Sequence, residues 1–123
     1  MSDTPRHINI TEENLKGALD ELKKERFTNV GLLSLRALEQ MIEACASKEG
    51  LHFHEHPRTA HKNRRNWLKA HHPDLLDLWD QLWGIYGALG YGGLNGERAK
   101  QALVILKECL TKLSRREKIA IRG

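Results

Sequence analysis

Between Pro57 and Pro73 the chain carries Arg58, Lys62, Arg64, Arg65 and Lys69 but no acidic residue, and six of its seven histidines lie between His52 and His72. Histidine changes charge near neutral pH, and arginine grips phosphate through a planar fork of donors. RNA cleavage without a metal needs both roles. A base activates the ribose 2′-hydroxyl, and a cation stabilises the charge gathering on the phosphoryl oxygens. On a helix, His61, Arg65, Leu68 and His72 fall at i, i+4, i+7 and i+11 and share one side. Lys62, Arg64 and Lys69 stand around them. The segment therefore reads as a helix that contacts phosphate or nucleic acid through His61, Lys62, Arg64, Arg65 and Lys69. The plainer alternative is a solvated basic face.

Just upstream, His52, His54 and His56 alternate as in an extended strand, which would put three imidazoles on one face and Glu55 on the other. Three imidazoles can bind zinc, nickel or copper. No paired Asp or Cys completes a recognisable metal motif, so no metal or other cofactor is expected, and a metal-binding loop stands as the weaker alternative. The glycine-rich run from Gly90 to Gly96 lacks the Gly-Lys-Ser/Thr ending of a phosphate loop and reads as a helix connection. Trp67, Trp79 and Trp83 can stack on bases. Trp79 and Trp83 fit a core stripe instead, while Trp67 stays open between the two roles.

The elements that must position these residues are helical. Thr11 reads as an N-cap with Glu12 and Glu13 behind it, opening a first helix to about Glu25. A second runs from about Asn29 to Lys48, with an apolar arc of roughly 200° that implies a central helix or one meeting a second copy. Gly50 stops it. Thr59 caps a third helix to about His71, and Pro73 ends it and opens a fourth. Asn95 caps the last helix, whose stripe runs from Ala99 to Leu113. No stretch alternates with period two, so the expected class is all-α: an antiparallel bundle of four to five helices.

The bounds agree with this. A chain of 123 residues is the size of one domain, expected to span 1–123 with a core of about 11–116 and loose ends. No apolar run approaches the length of a membrane span, and none at the N-terminus resembles a secretory signal, so a cytoplasmic protein is expected. Cys45 and Cys109 lie in helical apolar patterns and read as core residues rather than a disulfide. The net charge of +4 permits a nucleic-acid partner without demanding one.

From about Thr28 to Leu113 the chain resembles the HEPN domain family. The resemblance rests on Ala37-Leu38-Glu39-Gln40-Met41-Ile42, on Pro73-Asp74-Leu75 leading to Leu82 and Tyr86, on the Tyr91 turn, and on Glu97-Arg98-Ala99-Lys100-Gln101-Ala102-Leu103. It implies a helical bundle, commonly a homodimer, acting on or binding RNA or nucleotides. Some family members pair with nucleotidyltransferases in toxin–antitoxin systems. Many carry an arginine and a histidine four to six residues apart for metal-independent ribonuclease activity. Here Arg65-Asn66-Trp67-Leu68-Lys69-Ala70-His71 fits with five residues between, and His72 with six. The resemblance makes Arg65 the phosphate holder and His71 or His72 the base. It also places such a motif nearer the turn before the last helix, where this chain has Leu89-Gly90-Tyr91-Gly92-Gly93. The alternative is a non-catalytic, dimerising interaction module.

Overall fold

A computed structural model describes residues 3–92 and 95–123. Five α-helices account for nearly all of it: α1 (Thr4–Lys23), α2 (Phe27–Ser47), α3 (Pro57–His71), α4 (Leu76–Gly92) and α5 (Gly96–Glu117). Short 3-10 turns cover Phe53–Glu55 and Pro73–Leu75, and no strand occurs among the described residues. The expected all-α bundle is what the chain forms.

The first helix begins a full two turns earlier than its sequence signature implies. Thr11 is not a cap. It is fully buried inside α1, where its hydroxyl donates to the His7 carbonyl oxygen at 2.8 Å. His7, Thr11, Leu15 and Ala18 form the buried stripe of α1, and Pro5 suits its first turn. Two of those four are polar, which is why an apolar pattern starting at Leu15 conceals the upstream turns. The ends of α1 and α2 meet head to tail: Thr4 Oγ1 lies 2.6 Å from Ser47 Oγ, and Asn29 Nδ2 donates to Glu21 Oε2 at 3.2 Å.

The wide apolar arc of α2 is covered within one chain, since α1, α3, α4 and α5 all pack on it. Val30, Leu38, Met41, Ile42 and Cys45 are fully buried. A Cβ on Gly31 would come within 3.0 Å of Leu89 Cδ1 and 3.6 Å of the Tyr86 Cα, so the absence of a side chain there lets α2 and α4 pack closely. Gly50, at φ +80, turns the chain after α2.

The third helix starts at Pro57 rather than after Thr59, whose hydroxyl instead donates to the His56 carbonyl at 3.4 Å. Proline needs no amide partner in a first turn. Asn95 caps α5 as its sequence implies, with Oδ1 accepting from the Arg98 amide at 3.1 Å. The helical backbone of α4 runs on to Gly92, three residues into the glycine-rich stretch, while Gly93 and Leu94 lie outside the described residues. The C-terminal tail is held rather than loose: Ile119 is buried, and the Arg122 amide donates to Glu12 Oε2 at 2.7 Å. Cys45 and Cys109 are buried and unpaired, and burial pushes both thiols up to about 12.

Trp79 is the largest fully buried side chain and sits where α4 faces the rest of the core. Its replacement by alanine is expected to cost about 3–5 kcal/mol in urea or guanidinium unfolding. By contrast Val104, 64% exposed on α5, should tolerate alanine within about 0.5 kcal/mol.

Candidate functional site

The third helix inserts Ala60, Trp67 and Leu68 into the bundle and leaves most of its remaining surface outward. The acid-free run is answered by acids from other elements. Arg64 turns inward, where its Nε donates to Glu43 Oε2 at 2.7 Å and its Nη1 to Glu39 Oε2 at 3.3 Å. Glu43 has no exposed surface at all. Burial pushes the Glu39 carboxyl above its usual value, against the pull of Arg64 and Arg36.

Arg65 forms a two-pronged pair with Asp80 on α4, at 3.0 and 2.8 Å, on the outer surface. That bonded guanidinium holds the Asp80 carboxyl below its ordinary value. His61 packs edge-on against Trp83, with ring centroids 4.2 Å apart, and stacks on Trp79 at 5.7 Å. Burial, seconded by Arg64 and Arg65, pushes its pKa down.

The two histidines proposed as bases go elsewhere. His71 stacks on Trp67 at a centroid distance of 4.6 Å, and its Nε2 lies 3.9 Å from Glu49. His72 is 7% exposed, and both of its ring nitrogens are engaged: Nε2 with Glu117 Oε2 at 2.7 Å and Nδ1 with Arg116 Nη1 at 3.4 Å. Arg116 in turn clasps Asp74 at 2.9 and 2.7 Å. Arg65 is held by Asp80, while His71 and His72 both lie against the Trp67 ring, at 4.6 and 5.6 Å, so one chain brings neither histidine to Arg65. Helix geometry separates His71, because residues six apart project about 240° from one another, whereas His72 lies past the last residue of α3 and leaves the helical path. Trp67 is buried at 4% exposure, so it is a core residue and presents no face for a base.

What remains outward on α3 is a ridge. Arg58, Lys62, Arg65 and Lys69 fall at i, i+4, i+7 and i+11, within about 60° of arc and along about 16 Å of helix. Arg58, Lys62 and Lys69 are exposed and have no acid within ion-pair distance among the described residues.

The histidine loop departs from the expected strand. Phe53–Glu55 forms a 3-10 turn, so the three imidazoles do not share a face. His52 and His54 turn toward the start of α1, while His56 sits exposed at the beginning of α3. His52 Nδ1 lies 3.3 Å and His54 Nε2 3.4 Å from the same oxygen, Asp3 Oδ2. His7 adds its ring to this group, 4.9 Å from that of His54. Asp3 and His7 were not legible as site residues. The one signal for His7 was its place four residues before Thr11, on the buried stripe of α1.

Comparison with protein-family models, with curated proteins and with solved structures returned no match. No helix among the described residues is long and apolar enough to cross a membrane.

Removing Arg64 would leave the Glu43 carboxylate buried and unpaired, so Arg64→Ala is expected to cost about 3–5 kcal/mol in equilibrium unfolding. The acid limb of stability follows from the depressed carboxyls. Bonding to Arg116 lowers Asp74, bonding to Arg65 lowers Asp80, and in Glu117 bonds to Lys48 and His72 outweigh the opposing effect of burial. Their contribution is present above the ordinary values of 3.8 and 4.5 and is lost as pH falls through the lower folded values. Glu39 acts in the opposite sense, its contribution being lost as pH rises through its elevated folded value. Thermal melts should show Tm falling below pH 4.5, with a shallower acid slope in Arg116→Gln.

Proposed function

We propose that this chain is a HEPN-like helical module that binds RNA along α3 without cleaving it. The observation that supports this is the exposed ridge of Arg58, Lys62, Arg65 and Lys69, three of whose four cations have no acid partner among the described residues. A row of cations on one helix face can follow a phosphate backbone, gaining affinity from released counterions and reading little sequence. Cleavage would require a base and a cation at the same phosphate. The stacked His71 and the doubly engaged His72 lie apart from Arg65, which favours binding alone.

Pairing with a second copy, or with a nucleotidyltransferase, belongs to the family resemblance and is part of this reading. The apolar arc of α2 is used up inside the chain, so a second copy would dock on another surface.

Fluorescence anisotropy with single-stranded RNA across a salt series tests the proposal. Affinity should fall linearly in log–log form, and Lys62→Ala and Lys69→Ala should each reduce the slope by about 0.7. His71→Ala should leave affinity unchanged, and the RNA should remain intact. Salt-independent or absent RNA binding would overturn the proposal and leave protein docking as the role. Cleavage that His71→Ala abolishes would restore the catalytic reading.

A further inference from the structure

The groups gathered at the start of α1 have the chemistry of a metal site that the RNA reading does not use. Asp3 at the beginning of α1, His7 one turn on, and His52 and His54 around the 3-10 turn converge from two distant parts of the sequence. Asp3, His52 and His54 each offer a ligand atom within 4.8 Å of one another, and so do His7, Glu43 and His54, with His54 shared.

Three observations distinguish this group from an ordinary polar cluster. The first is an orphan. His7 is 2% exposed, and its Nε2 has no hydrogen-bond partner. Its other nitrogen, Nδ1, lies 2.7 Å from Gln40 Oε1, an acceptor, so Nδ1 carries the proton and Nε2 keeps its lone pair. That is the arrangement by which a second residue orients a metal-ligating imidazole.

The second is the state of the other two rings. His52 Nδ1 and His54 Nε2 are also buried atoms without a hydrogen bond, although each lies beside the Asp3 carboxylate. The third is spacing. Around a tetrahedral zinc ion with bonds of about 2.0–2.1 Å, neighbouring ligand atoms stand roughly 3.3 Å apart. The distances from Asp3 Oδ2 to His52 and His54 are 3.3 and 3.4 Å.

We propose that Asp3, His52 and His54 form a site for one divalent transition-metal ion of the zinc type, with His7, which approaches His54 from the second set, swinging its free Nε2 in as the fourth ligand and Gln40 as the positioning residue behind it. Imidazole nitrogens select zinc and its neighbours over magnesium or calcium, which take oxygen ligands. Asp3 supplies the anionic ligand. Glu43 closes the inner wall. Its Oε2 is held by Arg64 and its Oε1 accepts from the His54 amide at 3.4 Å, so it anchors the turn that carries His54.

The test is calorimetric titration of the untagged full chain, stripped with a chelator, with Zn2+, followed by Co2+ as a spectroscopic probe. One ion per chain should bind, with the visible absorption of tetrahedral Co2+ and a rise in Tm. His52→Ala and His54→Ala should each abolish saturable binding. Gln40→Ala should weaken it about 10- to 100-fold while keeping the tetrahedral spectrum. If His54→Ala does not fold, His52→Ala and Asp3→Asn, at partly exposed positions, give the answer. Absence of stoichiometric Zn2+ binding, or binding unchanged in His52→Ala, would overturn the proposal.

Discussion

A carboxylate with no exposed surface, Glu43, lies about one turn from the C-terminal end of the central helix α2, and much of the molecule is arranged around keeping it partnered. Taking such a charge out of water costs several kcal/mol even after relaxation, so it persists only with close and well-aligned donors. Arg64 supplies one from α3, at 2.7 Å, and the His54 amide supplies another from the turn before it. Both donors come from the connection between α2 and α4. The ion pair thus fastens α3 across α2 and sets how that helix is rotated. Once Arg64 points inward, Arg58, Lys62 and Lys69 must point outward, because the helical period leaves them no other side.

The same rotation decides what α3 can do. With Trp67 and Leu68 buried, His71 is left against the Trp67 ring and His72 falls at the helix end, where Glu117 and Arg116 hold it. Acids from α2, α4 and α5 answer the inward and flanking basic groups. On the outer ridge Arg58, Lys62 and Lys69 keep their positive charge without an acid partner among the described residues, and such charge attracts phosphate.

Next to Glu43, the start of α1 meets the histidine turn through side chains that are polar yet largely withdrawn from water. His7 and Thr11 sit on the buried stripe of α1, and Gln40 of α2 faces His7. The buried polar face of α1 is what draws its first turns onto the bundle. It also places Asp3 beside His52 and His54, which lie some fifty residues further along the chain.

Helical periodicity, the Asn95 cap and the apolar stripe of α5 were legible from residue order alone, because they depend on near neighbours in the chain. So were the burial of Trp79, Cys45 and Cys109 and the all-α class. The true start of α1 was not, since its stripe is half polar and Thr11 followed by Glu12 and Glu13 imitates a helix beginning. Nor could residue order reveal that Asp80 would meet Arg65, that Glu117 would meet His72, or that Asp3 and His7 would join His52 and His54. Local spacing specifies which face of a helix a side chain occupies. Which partner waits opposite that face depends on how separate helices pack, and only the assembled bundle decides it.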